Sequence, residues 1–232
     1  MMKKKIVEQI SNGKCSFCDG TFTKGKMKKH LESCKQRRAF SETSTDKQRS
    51  QKTKLFHIVA EGRHQPEYWM HIETSASAKL KDLDDFLRYI WLECCDHLSA
   101  FTIERTKYAS YPDEWLNDKS MDVAIGDVLN PGLRFYHEYD FGTPTEITLK
   151  VLSQREGETM DEPIHLLARN EQPPITCDLC GKIATQVCRE CGWSGDGGWL
   201  CDDCANKHEC GEDLLLPVVN SPRVGICGYT GE

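Results

Sequence analysis

Thirteen cysteines and eight histidines are the residues of this 232-residue chain best equipped for chemistry. Ten of the cysteines fall into two clusters near the chain ends, each with a histidine, while Cys94, Cys95 and Cys227 stand apart. Met1 to Lys5 lead into no apolar signal region, and apolar runs such as Leu214 to Val219 are far short of the roughly 20 residues that span a bilayer. The expectation is therefore a cytoplasmic chain without a membrane span. Thiols stay reduced in that compartment, so the spacing points to metal ligation rather than a disulfide framework.

The first cluster reads Cys15-x2-Cys18, eleven residues, His30, three residues, Cys34. A Cys-x-x-Cys knuckle sets two thiolates on one ion, and His30 and Cys34, four apart on a helix, turn two more ligands the same way. This is the donor set of a tetrahedral zinc site. Phe22 and Met27 stand where a small ββα finger keeps its two core side chains, and the motif resembles a Cys-Cys-His-Cys zinc finger. Lys24, Lys26, Lys28 and Lys29 crowd the start of its helix, with Lys35, Arg37 and Arg38 after its end. These seven are the candidate phosphate contacts, the plainer reading being a solvated basic helix.

The second cluster is Cys177-x2-Cys180, Cys188-x2-Cys191, Cys201-x2-Cys204 and His208-x-Cys210. Eight donors satisfy two closed tetrahedral zinc ions, making about three ions in the chain. The pairs allow an interleaved arrangement, with Cys177, Cys180, Cys201 and Cys204 on one ion and Cys188, Cys191, His208 and Cys210 on the other. A sequential pairing is also open, as is Cys227 in place of Cys210. A catalytic zinc keeps a coordination position for water, whereas these donor sets are full, which makes them scaffolds.

Between the clusters, Asp96, His97, His137, Glu138 and Asp140 are the polar residues that acid-base or metal chemistry would use. Nothing in their spacing makes them converge. No phosphate-binding loop, dinucleotide fingerprint, nucleophile elbow or His-Glu-x-x-His is present.

Elements must position these groups. Leu55 to Ala60 and Tyr68 to Thr74 alternate as strands of a hairpin, and Lys79 to Cys95 carries Leu80, Leu83, Leu87, Ile90 and Cys94 on one helical stripe. Ser99 to Tyr108 reads as a strand, Asp122 to Leu129 as a short helix, and Leu133 to Tyr139 with Thr145 to Leu152 as a second hairpin. The order predicts an α+β fold, a mixed sheet with one long helix, of β-grasp type or similar. The expected divisions are a basic finger (1–36), a polar linker (37–54), the α+β domain (55–152), a connector (153–174) and a two-zinc module (175–232).

Trp69, the helix Leu80 to Leu92, Asp96-His97-Leu98 leading to Phe101, and Tyr139-Asp140-Phe141-Gly142 together resemble the plasmid open-reading-frame-three-like family, which includes insertion-element passenger proteins. Asn220 to Arg223 and Cys227 to Gly231 resemble the closing segment of members with a C-terminal zinc cluster. The resemblance implies an α+β domain and mobile-element or plasmid company, but no defined activity. That family usually continues Tyr-Asp-Phe-Gly with Asp, an aromatic and His. Here Thr143, Pro144, Thr145, Glu146 and Ile147 stand instead, so no polar site at that turn is carried over.

Charge supplies the last expectation. Residues 1–54 hold 15 Lys/Arg against 5 Asp/Glu, and the rest holds 15 against 31. A basic arm on an acidic body suits nucleic-acid contact through residues 1–54, with the central and C-terminal modules meeting a protein partner. The rival is a protein-only interaction module. A third reading is an enzyme built on His97, His137 and Asp140.

Overall fold

Clusters of cysteine cannot fold a chain without surfaces to stand on, and here those surfaces come from short strands. The computed structural model describes residues 11–43, 52–158, 162–195 and 197–231. The far N-terminal basic residues and residues 44–51 of the expected linker lie outside them. The described chain falls into two units.

The first unit comprises residues 11–43, 52–79, 123–135, 147–158 and 162–171. It opens with the finger: β1 (Asn12–Cys15), β2 (Thr21–Thr23) and α1 (Lys24–Ser33). A second helix, α2 (Lys35–Thr43), stands where the Ser/Thr/Gln-rich composition predicts linker. Local composition missed it because Arg37 is held by a tertiary partner, described below. Next come the long β3 (Lys52–Gly62) and β4 (Trp69–Ser75), antiparallel with Leu55 opposite Ser75 and Glu61 opposite Trp69.

In the second unit, α3 (Leu80–Leu87) runs on as a π-helical turn, Arg88–Leu92. The expected strand at 99–108 is broken by a turn with Glu104 at positive φ, giving β5 (Ser99–Ile103) and β6 (Thr106–Ala109), to which the short β7 (Lys119–Ser120) adds in parallel. The chain returns to the first unit for α4 (Ile125–Val128). The strands β8 (Arg134–Tyr139) and β9 (Thr145–Glu158) run through the boundary between units. Finally β10 (Ile164–Asn170) lies in the stretch expected as a connector. Its prolines, Pro163 and Pro173, flank the strand rather than interrupt it, as proline must.

Within the first unit the strands lie in the order β2-β1-β10-β4-β3-β9, neighbours antiparallel. Ile58, Ala60, Trp69, Met70, Ile72, Leu149 and Val151 are fully buried in its core. Pairing of β1 with β10, Gly13 opposite Asn170 and Cys15 opposite Ala168, makes the finger part of this sheet rather than a bead on an arm. The second unit pairs Ser99 to Thr102 of β5 with Tyr139 to Tyr136 of β8, and β5 with β6. Its remaining elements are β11 (Gln186–Cys188), α5 (Arg189–Ser194), β12 (Trp199–Leu200), α6 (Asp202–Ala205) and β13 (Leu215–Pro217), the strands forming a small sheet in the order β12-β11-β13. The fold is α+β, with a large mixed sheet and few helices.

Candidate metal centres

In the finger, the β1–β2 turn carries Cys15 and Cys18, and α1 delivers His30 and, just past its end, Cys34. Their donor atoms lie within 4.8 Å of one another, and Cys18 Sγ is 3.4 Å from His30 Nε2. Two ligands at zinc-like bond lengths subtend about 3.6 to 3.8 Å at a tetrahedral centre, so the spacing suits one ion. Phe22 stacks on the His30 ring at 3.8 Å, and Met27 is fully buried, the two roles expected of them. The core does not stop there. Cys15, Met27, Leu31 and Cys34 pack in one cluster with Trp69, Leu167 and Ala168 of β4 and β10. Burial pushes the Cys15 thiol up to about 11, and deprotonation by a metal would reverse that.

Near the C-terminus the donors group as the interleaved arrangement has them. Cys177, Cys180, Cys201 and Cys204 converge on one point, and Cys188, Cys191, His208 and Cys210 on another. Cys180 and Cys201 sulfurs are 3.5 Å apart, and Cys191 Sγ is 3.4 Å from His208 Nε2 and 3.8 Å from Cys210 Sγ. Interleaving follows from the small sheet, because β11 sits between β12 and β13 and so places the second pair beside the fourth. Burial works against ionising Cys177, but backbone N–H groups of Cys201, Leu179 and Cys180 outweigh it and bring the thiol down to about 6. Such knuckles pre-organise a thiolate for a cation.

A fourth group was not legible as a site in the sequence. Cys94, Cys95 and His97, in the loop after the π-helical turn, meet Cys227, again with donor atoms within 4.8 Å. Cys227 therefore stands with this group, and not in place of Cys210. The signal that could have found it is the Cys-Cys-x-His spacing together with one cysteine left over. Bonding to His97 is the main reason the Cys227 thiol comes down to about 7.

The other polar candidates separate. His137 Nε2 meets Asp84 Oδ1 at 2.6 Å in the core, away from any donor set, while Asp140 bonds Arg223 at 2.8 Å and lies 3.5 Å from His97 Nε2. Asp96 is exposed at positive φ, and Glu138 faces Ala100 across the strand pair. The three residues of the enzyme reading thus do not form one group of hydrogen-bonded partners.

Of the seven basic candidates, Lys26, Lys28, Lys29, Lys35 and Arg38 are exposed. Lys24 is engaged by Glu61 and the Pro66 carbonyl, and Arg37 points inward onto the Leu31 carbonyl and Glu73. A cavity of about 400 Å³ beside α2 is lined by His57, Glu73, Arg37 and Arg155, with both arginines committed to Glu73. Among the described residues, no helix is long and apolar enough to cross a membrane.

Comparison with known proteins adds little beyond family. No curated protein matches the chain. Among solved structures, a Methanosarcina mazei Go1 protein of unknown function is similar, with 12% identity and a TM-score of 0.44 over 69% of this chain and 85% of that one. The model of plasmid pRiA4b ORF-3-like proteins matches residues 55–184, which include most of β3, all of β4 to β10 and the residues Trp69, His97, Tyr139 and Asp140. On that match, over more than half of its length, the chain belongs to the plasmid pRiA4b ORF-3-like family.

Proposed function

We propose that the protein is a zinc-binding adaptor of the reducing cytoplasm, which contacts nucleic-acid phosphates through the basic finger and a protein partner through the rest of the chain. The observation that carries the nucleic-acid part is the set of exposed cations, Lys26, Lys28, Lys29, Lys35 and Arg38, on two successive helices of a module with a complete tetrahedral donor set. Zinc is the metal of choice because sets of four thiolates, or of three thiolates and an imidazole, without carboxylates suit a soft tetrahedral ion. Full donor sets leave no position for a reacting water, which supports scaffolding over catalysis. The family's plasmid association supports a role beside mobile elements.

A specific surface supports the protein-contact half, and with it the protein-only alternative. Trp115 is 98% exposed, beside Tyr111 and Leu116, also exposed. Aromatic residues bared on a loop are the usual anchors of a protein interface.

The test is binding of the zinc-loaded full chain to short single- and double-stranded DNA and RNA across a salt series, beside the variant Lys26→Glu/Lys29→Glu/Lys35→Glu. Binding that weakens with salt, and a variant whose salt slope drops by about one per lysine, are expected. No binding at low salt would overturn the nucleic-acid half and leave the protein-only module. Substitution is preferable to deleting residues 1–54, since removing β1 would strip the sheet edge at β10.

A further inference from the structure

We infer that Cys94, Cys95, His97 and Cys227 are a fourth zinc site, which ties the segment around Cys227 to the loop after the long helix. Zinc at this site is independent of any nucleic-acid contact by the finger.

Distances make the first argument. Cys95 Sγ is 3.6 Å from both Cys94 Sγ and Cys227 Sγ, and Cys227 Sγ is 3.6 Å from His97 Nε2. A tetrahedral zinc would set sulfurs about 3.8 Å apart, whereas a disulfide would need about 2.05 Å. Those three contacts match the 3.4 to 3.8 Å found inside the other three groups, while Cys95 Sγ lies closer to His97 Nε2, at 2.9 Å.

Construction of the loop makes the second. The Tyr139 hydroxyl accepts the backbone N–H of His97 at 3.2 Å and of Cys94 at 3.4 Å, and donates to Glu93 at 2.9 Å. One phenol thus fixes both ends of the donor loop. Asp96, between two donors, lies at φ 57°, and Cys227 itself at φ 56°. Aspartate tolerates the left-handed region, but a cysteine there is unusual and needs a compensating interaction. Aiming its sulfur at three other donors supplies one.

Charge balance makes the third. Three thiolates and a neutral histidine on a divalent ion leave one negative charge. Arg223, wholly buried, places Nη2 3.4 Å from Cys94 Sγ and 2.8 Å from Asp140 Oδ2. Its guanidinium stacks 4.8 Å over the Tyr139 ring and also donates to Thr145 Oγ1 at 3.0 Å. A buried cation donating to a donor sulfur is the kind of outer partner that tunes a thiolate metal site.

Native mass spectrometry of the full chain, purified under reducing conditions with zinc, counts the ions. Four are expected in the wild type and three in Cys227→Ser, with Cys95→Ser behaving alike. Cobalt substitution should show one tetrahedral thiolate centre fewer in each variant. Proteolysis should cut residues 220–231 faster in Cys227→Ser than in the wild type. Three ions in the wild type, or four retained in both variants, would overturn the inference while leaving the other three sites standing. No zinc in any form would overturn the zinc reading of all four groups together.

Discussion

Asp84 and His137 form a deeply buried hydrogen-bonded contact in the second unit, Oδ1 to Nε2 at 2.6 Å with side chains 3% and 0% exposed. Asp84 also receives Arg88 Nε on its other oxygen at 2.9 Å, so one carboxylate joins the helix to β8 and to the π-helical turn. Burial opposes its ionisation, but His137 and Arg88 hold it below the usual carboxylate range. Asp84→Asn leaves Arg88 and His137 without their anion and should cost about 3 to 5 kcal/mol, read as a shift of the denaturation midpoint. Since the folded pKa is depressed, the pair's stabilisation is full above the ordinary aspartate range and is lost only as pH falls through the lower folded value.

Acid should act earlier on the first unit. His57 Nε2 lies 2.8 Å from His71 Nδ1, and burial, followed by charged neighbours including Arg37, depresses each to about 3 from an ordinary 6.5. Between those values the unfolded chain binds protons that the folded chain refuses, so stability falls as pH drops through that window. The loss is about 2 kcal/mol per histidine by pH 5. Thermal unfolding of the wild type and of His57→Gln/His71→Gln from pH 7.5 to 5 should show a flatter dependence in the variant. Equal slopes would mean that the pair does not titrate this way.

Trp69 should matter more than its distance in sequence from the finger suggests. Its indole Nε1 donates to Ser11 Oγ at 2.9 Å, and a Cβ on Gly13 would lie 2.5 Å from its ring, so only glycine lets β1 cross it. Trp69→Ala should cost about 3 to 5 kcal/mol and weaken zinc retention by the finger, measured by competition with a chromogenic chelator. Gly13→Val should lower zinc retention in the same direction. Unchanged retention in both would show that the finger folds independently of the sheet.

Glu73 accepts Arg37 Nη2 at 2.7 Å on one oxygen and Arg155 Nη2 at 2.7 Å on the other, at 4% exposure. Glu73→Gln should destabilise by about 3 kcal/mol, because two guanidiniums then lose their shared anion. It should also loosen α2, visible as faster amide exchange in residues 35–43.

The sequence announced what is local and hid what is assembled. Knuckle spacing located three donor groups because each Cys-x-x-Cys is a self-contained turn. Strand alternation revealed the β3–β4 hairpin, and leucine spacing the helix at Leu80. By contrast, β10 was obscured by neighbouring prolines and is defined by partners about 90 and 160 residues away, as its pairing of Ile164 with Thr74 and of Asn170 with Gly13 shows. The group at Cys94, Cys95, His97 and Cys227 is non-local for the same reason, since Cys227 is 132 residues from Cys95.

Hydrogen bonding of β1 to β10 has a bearing on the protein's lifetime. A ligand that binds only the folded form adds about 1.4 kcal/mol of stability for each tenfold excess over its dissociation constant. With finger and sheet sharing a core, that increment is felt by the whole first unit. If the finger donors hold a metal ion, its loss should expose the β10 edge and make the first unit more open to proteolysis, so the amount of intact chain would follow the metal supply.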